Sequence, residues 1–430
     1  MTLRAAAPGK RRVAVTGLGI VSPYGGTLED FFARVLRGES ALRHYQTDDK
    51  PEPLSIPAVR CADFDPVQAL GRPLAGGLDR FSQMGLAAAF EAWERAGFSR
   101  DNPVGNPDAG VYWGTALGGV MTYERGYRDL WQHGRSRLSP LTVLMGMNNS
   151  ASANISIQLG LGNASQSFTV ACASASSAIG EAYRRIRDGE ATIMLTGGSD
   201  APLAYGVVRA WDAMRVLAPG DADSSPGACR PFSDDRQGLV LGEGAAAMVL
   251  EEWDHAIARG APILAELAGY GTSSDHSHLV RPEPTGQIRA IRLALEDASL
   301  APEDVGYVNA HGTGTREGDP AEIQALREVF GTHAEQLAVS ATKSVHGHLM
   351  GAAGAIEALI TVMALQHDAI PPTAHVKHID PACAGVRHVT GAALSGNGLR
   401  AALSNSFAFG GSNTVLVFRA ADAARLAPAH

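Results

Sequence analysis

Short apolar runs alternate with amphipathic stretches along the whole chain. The β-branched run at 12–21 predicts a buried strand, and the apolar spacing at 28–37 predicts a helix. Similar patterns predict further strands at 110–119, 167–171, 191–197, 244–250, 263–272, 305–310, 337–340, 403–406 and 414–420. They predict further helices at 77–97, 139–160, 173–188, 285–298, 319–330 and 355–365. This alternation indicates an α/β layered fold.

The chain is long enough for more than one core. Its 430 residues exceed what a single hydrophobic core usually holds. A connector at 251–261 separates two sets of alternating strands and helices, and no short-period sequence repeat links them. We therefore predict two domains, 1–262 and 263–430, that are alike in architecture.

The composition limits the kinds of partner that the protein is expected to bind. The formal net charge of −8 lacks the basic bias of a nucleic-acid binder, although a local basic patch can still serve an acidic partner. No apolar signal core follows the N-terminus, and the most apolar helical stretch, 352–365, contains Glu357 and is short for a bilayer. We expect a cytoplasmic protein that binds neither nucleic acid nor membrane.

The four cysteines lie far apart, at Cys61, Cys172, Cys229 and Cys383. No CxxC pair occurs, which disfavours a zinc cluster and a redox dithiol. His346 and His348 have a spacing that metal sites use, but no further histidine or carboxylate lies at a suitable distance in sequence. We therefore predict no catalytic metal.

One cysteine lies in a pattern typical of a nucleophile. In SFTVACASASSAIGEA, 167–182, an apolar strand runs into Cys172 and a helix of small residues follows. A side chain on such a turn lies at a helix N-terminus, whose partial positive charge is expected to lower the thiol pKa. The alternative is a buried, unreactive cysteine.

Two histidine motifs accompany it. VNAHGTGTREGDPAE, 308–322, places His311 at a strand end, where it could act near neutral pH or only hold its loop. KSVHGHLMGAAGAIEA, 343–358, places Lys343 and His348 around a turn before a helix of small residues. Glu357 lies inside that apolar helix and needs a partner, so a buried Lys343–Glu357 ion pair is at least part of its role.

A fourth motif, SNSFAFGGSN at 404–413, contains a glycine turn between closing strands. Its backbone N–H groups could form an oxyanion hole or simply close the strand pair. Together with RPFSDDRQGLVLGEGAA at 230–246, the motifs resemble those of elongating β-ketoacyl-acyl-carrier-protein synthases of type II fatty-acid and polyketide synthesis. The resemblance covers essentially the whole chain. It implies a thiolase-like α/β fold of two similar α/β/α/β/α halves, usually assembled as a dimer.

The resemblance also implies a mechanism. Cys172 would accept an acyl chain from a phosphopantetheine carrier, and His311 and His348 would promote decarboxylation of malonyl-carrier. The resulting enolate would attack the acyl thioester, whose oxyanion the N–H groups of Cys172 and Phe409 would hold. No cofactor is expected beyond the carrier's phosphopantetheine.

Further residues acquire expected roles from the same resemblance. These are Lys343 in the catalytic group, Glu357 in support, Thr313 and Thr315 at the pantetheine, Phe407 and Phe409 as a gate, Leu117 in the acyl tunnel, and Arg135 and Arg137 in carrier docking.

The chain departs from the usual pattern at several positions. The family usually has threonine where His346 stands, glycine at Ala408 and aspartate at Gln237, and the Asn148–Asn149 pair is unusually polar. These departures favour a specialised acyl substrate or a heterodimer with an inactive chain-length partner. The polar pair falls in a segment expected at the dimer contact.

Three other functions are alternatives for this sequence. A non-catalytic chain-length partner typically lacks the nucleophile, whereas Cys172 and both histidines are present here. A coenzyme-A thiolase needs a second cysteine in the C-terminal glycine-rich loop, and NSFAFGG has none. A binding module without chemistry is the third. Acyl chain length, a housekeeping or specialised pathway, and homodimer or heterodimer stay open.

Overall fold

The computed structural model describes residues 9–101 and 105–421, so the outer ends of the two predicted domains, 1–8 and 422–430, lie outside the described residues. The first half contains β1 (Val13–Val21), α1 (Leu28–Leu36), β2 (Arg43–Gln46), β3 (Ser55–Val59), α2 (Pro66–Leu70), α3 (Arg72–Gly76), α4 (Arg80–Arg95), β4 (Ala109–Gly114), α5 (Val120–Trp131), α6 (Leu141–Gly146), α7 (Ser150–Leu159), β5 (Ser165–Phe168), α8 (Ser174–Arg187), β6 (Ile193–Asp200), α9 (Tyr205–Ala213), β7 (Leu241–Gly242), β8 (Gly244–Glu252) and α10 (Trp253–Ala258). The second half contains β9 (Ala265–Ser274), α11 (Pro284–Asp297), β10 (Tyr307–Asn309), α12 (Gly318–Phe330), β11 (Ala338–Ser340), α13 (Lys343–His346), α14 (Ala353–His367), β12 (Ala369–Ile370), β13 (Arg387–His388), β14 (Leu394–Ser395), β15 (Ala401–Phe407) and β16 (Ser412–Ala420).

The strand order shows an internal duplication. The large sheet runs β5-β4-β6-β8-β1 through the first half and continues β9-β16-β15-β10-β11-β13 through the second. Five strands of this sheet in each half have the same spatial order, 3-2-4-5-1, when they are numbered along the chain; they are β1, β4, β5, β6 and β8 in the first half and β9, β10, β11, β15 and β16 in the second. Strands 2, 3 and 4 of each set pair in parallel, and the pairs to strand 5 are antiparallel. Antiparallel pairing of β1 with β9 joins the halves. The repeat is the one that the resemblance implies.

Two helices of small residues, α8 and α14, pack against the sheet at the centre of the molecule. Close approach excludes side chains at two glycines: a Cβ on Gly354 would lie 2.0 Å from Ser176 Oγ, and one on Gly114 would lie 2.4 Å from Ala175 Cα. These glycines allow the N-terminus of α8 to lie directly against the ends of the strands.

The apolar stretch 350–367 differs from our expectation. It is long and apolar enough to cross a membrane, although the sequence suggested that it was too short. Because 89% of it is buried inside the protein, it is a core helix, with Glu357 held by an internal partner.

Several predicted boundaries were wrong. The predicted helix at 139–160 is two helices, because Met147 adopts an extended conformation between α6 and α7. The predicted strand at 110–119 ends at Gly114, since Asp200 accepts the N–H groups of Ala116 and Leu117 and bends the chain into a loop. Six of the described helices were not predicted, namely α2, α3, α5, α9, α10 and α13.

Candidate active site

The chain turns sharply at Cys172, where the sequence predicted a nucleophile elbow. Strand β5 ends at Phe168 rather than reaching Ala171, which adopts a left-handed conformation with φ 46°. Ser174 fixes the turn, because its hydroxyl donates to the Ala171 oxygen (2.7 Å) and accepts from the Val170 N–H (2.8 Å). Cys172 is therefore presented one residue before the N-cap of α8, with its side chain 5% exposed.

The His348 ring contacts the sulfur directly. Its Nε2 lies 3.1 Å from Cys172 Sγ, and its Nδ1 accepts a hydrogen bond from the Met350 N–H (3.2 Å). A ring nitrogen that accepts from an N–H carries no proton, so the proton of the neutral ring is on Nε2. The imidazole therefore points a donor at the sulfur.

A buried ammonium orients His311 in the same way. Lys343 Nζ lies 3.3 Å from His311 Nδ1 and donates to the His311 carbonyl oxygen (2.6 Å). Because an ammonium can only donate, Nδ1 is the acceptor and Nε2 carries the proton. Lys343 also pairs with Glu357, and both side chains are fully buried, as the sequence suggested.

Burial sets the protonation states. It lowers the pKa of both His311 and His348 well below 6.5, and the Lys343 charge lowers both further, so both rings are neutral at pH 7. Burial raises the pKa of the Cys172 thiol to about 11, against the opposing effects of Lys343 and the Phe409 N–H. Our expectation of a lowered thiol pKa was therefore wrong, because desolvation of the sulfur outweighs the positive groups around it.

The three donor atoms of Cys172, His311 and His348 lie within 4.8 Å of one another. A thiolate and two imidazoles suit zinc chemically, but the Lys343 ammonium behind His311 disfavours a divalent cation there. His346 faces elsewhere: its Nδ1 bonds the Gly347 oxygen (2.8 Å) and its Nε2 bonds the Thr342 hydroxyl (2.9 Å).

A pocket of about 430 Å³ opens from these groups to solvent. The predicted site residues in its wall are Cys172, His311, His348, Thr313, Thr315, Phe407 and Phe409. Gln237 and Ala408, which depart from the usual family pattern, line it too. The Phe409 N–H acts on the Cys172 sulfur and lowers the pKa of the thiol, against the larger effect of burial. An oxyanion hole formed by the N–H groups of Cys172 and Phe409 stays a prediction. The Phe407 ring stands edge-on to His311 at 6.3 Å, and the two threonine hydroxyls lie 3.0 Å apart.

The structure does not bring the other predicted residues to this pocket. Leu117 is half-buried, lies outside the pocket wall and has its N–H bound to Asp200 (3.2 Å). Arg135 pairs with Asp129 (3.3 Å), and Arg137 is exposed on the loop before α6. Asn148 and Asn149 are exposed between α6 and α7. Tunnel and docking roles for these residues stay predictions.

Two buried carboxylates in the site were not predicted. Glu322 accepts the N–H groups of His311 (2.9 Å) and Gly312 (2.8 Å), and so fixes the histidine loop. Asp200 accepts the N–H of Ala116 and that of Gly351 beyond His348, tying the two halves of the site together. Glu322 is the last residue of the histidine motif at 308–322, and Asp200 is the last residue of the buried strand β6; these positions were the available signal.

Breaking the buried Lys343–Glu357 ion pair should lower the free energy of unfolding. Lys343→Ala leaves the Glu357 carboxylate buried without its counterion, so we expect a loss of about 3–5 kcal/mol in the free energy of unfolding. Urea unfolding checks this value. The control is Lys377→Ala, whose side chain is 70% exposed, and its midpoint should be unchanged. A Lys343→Ala midpoint equal to that of the control would contradict the account.

Comparison with known proteins decides the family. The family model "Beta-ketoacyl synthase, N-terminal domain" matches residues 10–256, and "Beta-ketoacyl synthase, C-terminal domain" matches residues 264–377. The chain belongs to the β-ketoacyl synthase family. This membership makes it a condensing acyltransferase with the thiolase-like fold.

Relatives match this ketosynthase along nearly its full length. It is 41% identical to Nodulation protein E of Rhizobium sp. (strain N33), with 95% of this chain and 99% of the relative covered. It is 37% identical to 3-oxoacyl-[acyl-carrier-protein] synthase 2 of Staphylococcus aureus (strain N315), with 96% and 99% covered.

Solved structures of ketosynthases superpose closely. A β-ketoacyl synthase from Burkholderia phymatum STM815 gives a TM-score of 0.89 at 35% identity, and the ishigamide ketosynthase/chain length factor gives 0.87 at 33%, each covering 95% of this chain and 99% of that one. A type II polyketide acyl-carrier protein in complex with its ketosynthase gives 0.86 at 27% identity, covering 96% and 100%.

Proposed function

We propose that Cys172 carries the growing acyl chain and that His311 and His348 catalyse its condensation with malonyl-acyl-carrier protein. The observation that carries this proposal is the pair of fixed tautomers. The Met350 N–H donates to His348 Nδ1, and the Lys343 ammonium donates to His311 Nδ1. Both rings therefore carry their proton on Nε2, and the Nε2–H of His348 points at the sulfur.

The reaction proceeds through acylation of Cys172, decarboxylation of malonyl-carrier and condensation. The Cys172 thiol exchanges with the carrier thioester, giving acyl-Cys172 and a free carrier thiol. Malonyl-carrier then loses its carboxylate as CO₂, and the electron pair left behind forms an enolate whose oxygen accepts from the two Nε2–H groups. The enolate carbon attacks the acyl carbonyl, the C–S bond to Cys172 breaks, and the sulfur regains a proton from water. The Cys172 proton passes to the departing carrier sulfur in the first step, and enolate formation needs no base because loss of CO₂ supplies the electron pair.

Neutral histidines determine the pH dependence. Because burial places both pKa values well below 6.5, the Nε2–H donors persist as the pH falls through that value. We expect the single-turnover condensation rate of pre-acylated enzyme to change less than about twofold between pH 7.5 and 6. A rapid-quench pH series measures it. A fall in the condensation rate that follows one protonation with a midpoint at pH 6.5 would show that a histidine with an ordinary pKa controls the step.

A second ketosynthase-fold subunit is the proposed assembly partner. Strand β5 forms the outer edge of the large sheet, and helix α7 packs beside it. Large apolar side chains are exposed on α5, α6 and α7, namely Trp131, Leu141, Val143, Leu144 and Ile157. An unpaired strand edge beside exposed apolar groups is typical of an interface.

We expect light scattering of the purified chain to give twice its 44.9 kDa mass, and Ile157→Asp to give the single mass. The matched control is Ile257→Asp, an isoleucine 57% exposed on α10. A chain that dimerises only with a co-expressed homologue lacking the cysteine would establish the heterodimer. A monomer under both conditions would contradict the proposed interface.

The carrier partner and the pathway are also proposals. Support for an acyl carrier comes from the solved ketosynthase complex with its carrier protein and from the relative named 3-oxoacyl-[acyl-carrier-protein] synthase 2. A cytoplasmic location stays an expectation. The similarity to Nodulation protein E, together with His346 and Ala408, favours a specialised chain over a housekeeping one. Purification with native neighbours, followed by mass spectrometry of the group on Cys172, identifies that chain.

A further inference from the structure

The buried turn before His348 contains a histidine that has no part in the proposed reaction steps. His346 is fully buried, lies outside the pocket wall, and stands between Lys343 and His348 in the turn. Both of these neighbours act in the site, since Lys343 binds His311 and His348 lies against Cys172. A movement of this turn therefore displaces two of the groups on which the reaction depends.

The His346 ring bridges the two ends of the turn. Its Nδ1 lies 2.8 Å from the Gly347 carbonyl oxygen, and its Nε2 lies 2.9 Å from the Thr342 hydroxyl. Because a carbonyl oxygen can only accept, the ring proton is on Nδ1, and Nε2 accepts from the hydroxyl. Burial, with a smaller effect of the Lys343 charge, lowers the pKa of His346 to about 3, so the ring stays neutral at pH 7.

The contact with the Gly347 oxygen holds the peptide bond that precedes His348. Gly347 has φ 70° and ψ −175°, and a Cβ there would lie 2.9 Å from Val59 Cγ2, so only glycine suits the position. The His346 ring binds the carbonyl end of this peptide, and the Val240 oxygen accepts the His348 N–H at its other end (2.7 Å). The direction of the peptide determines where the His348 ring leaves the backbone.

A shorter side chain at position 346 could not bridge the same two groups. Threonine, which the family usually has where His346 stands, carries a single hydroxyl on Cβ. An imidazole instead places polar atoms on two edges of a rigid ring, which here reach Thr342 on one side and Gly347 on the other. This chain therefore holds the turn by a contact that the usual residue cannot make.

We propose that His346 is a positioning residue for condensation, whose Nδ1–H fixes the Gly347 peptide and thereby the direction of the His348 Nε2–H. This role rests on the proposed function, since it concerns how His348 stabilises the enolate. A donor that is already in place needs no reorganisation in the transition state, and a small displacement of a catalytic group lowers the rate strongly. Because His346 lies outside the pocket wall, it acts on the rate of condensation and not on substrate binding.

Two substitutions separate the roles of the two ring nitrogens. In His346→Asn the side-chain N–H group stands where Nδ1 does, whereas in His346→Gln the amide reaches the place of Nε2. We expect His346→Asn to keep the single-turnover condensation rate within about threefold of wild type, and His346→Gln and His346→Ala to lose about tenfold or more. The malonyl-carrier concentration that gives half of the maximal rate should change by less than about twofold in all three.

Rapid quench on pre-acylated enzyme measures these rates, and each is divided by the amount of acyl-Cys172, so unfolded protein does not contribute. His388→Asn is the matched control, because the His388 ring also bonds the oxygen of a buried residue, Cys383 (2.7 Å), through Nε2 and lies outside the pocket wall. Its condensation rate per acyl-Cys172 should equal that of wild type.

Equal rates in His346→Asn and His346→Gln would overturn the positioning role, whether both are retained or both are lost. A loss in His346→Gln that higher malonyl-carrier concentrations restore would also overturn it, since His346 would then act on binding. Either result leaves the proposed function intact if wild type forms the β-ketoacyl product. If acylated wild type forms no such product, the proposed function fails and this role fails with it.

Discussion

Replacing Cys172 with alanine should abolish the acyl-enzyme and lower the condensation rate by at least about 1000-fold. The covalent thioester divides acyl transfer into two steps, and no other thiol in the described pocket wall can replace the sulfur. Intact-protein mass after incubation with acylated carrier measures the adduct, and product analysis measures condensation.

Cys229→Ala is the matched control, because Cys229 is a fully buried thiol outside the pocket. This variant should keep both the adduct and the activity. An acyl adduct of wild-type mass and yield on the Cys172→Ala protein would show that another residue is the nucleophile.

His348→Ala should separate the two half-reactions. We expect condensation by pre-acylated enzyme to fall by about 10²–10⁴-fold, because the enolate loses a fixed Nε2–H donor. Acylation of Cys172 should fall by less than about tenfold, since the Phe409 N–H and the elbow turn remain. Rapid-quench mass spectrometry follows each step on the same protein.

The control for this variant is His333→Ala, a part-buried histidine that contacts Val305 away from the pocket. It should retain both half-reactions. The opposite pattern in His348→Ala, with acylation lost and malonyl decarboxylation retained, would show that the two roles assigned to the ring are wrong.

The sequence predicted the elements whose side chains are buried on both faces. Strands β1, β8 and β16 are continuous apolar runs, and their predicted positions agree with the structure to within a few residues. The break at Met147 was missed although Gly146 and the Asn148–Asn149 pair beside it are residue types that favour a helix end. The duplicated strand order could not be read from the chain, since it depends on pairings between distant segments such as β1 and β9.

The sequence predicted more of the site than of the fold. Cys172, His311 and His348 each follow a recognisable turn, and the structure places their donor atoms within 4.8 Å of one another. The sequence could not show that the Met350 N–H sets a tautomer, because this contact is a product of the turn geometry. It also could not show that burial raises the pKa of the thiol, since desolvation depends on packing from both halves.

We propose that His311 and His348 couple the decarboxylation of malonyl-carrier to the attack of the enolate on acyl-Cys172. A single-turnover experiment with acyl-Cys172 enzyme and malonyl-carrier labelled with ¹³C in its free carboxylate tests it directly. We expect one labelled CO₂ for each β-ketoacyl-carrier formed, with loss of the acyl group from Cys172 at the same rate. Labelled CO₂ released while the acyl group stays on Cys172, or a product that retains the label, would contradict it.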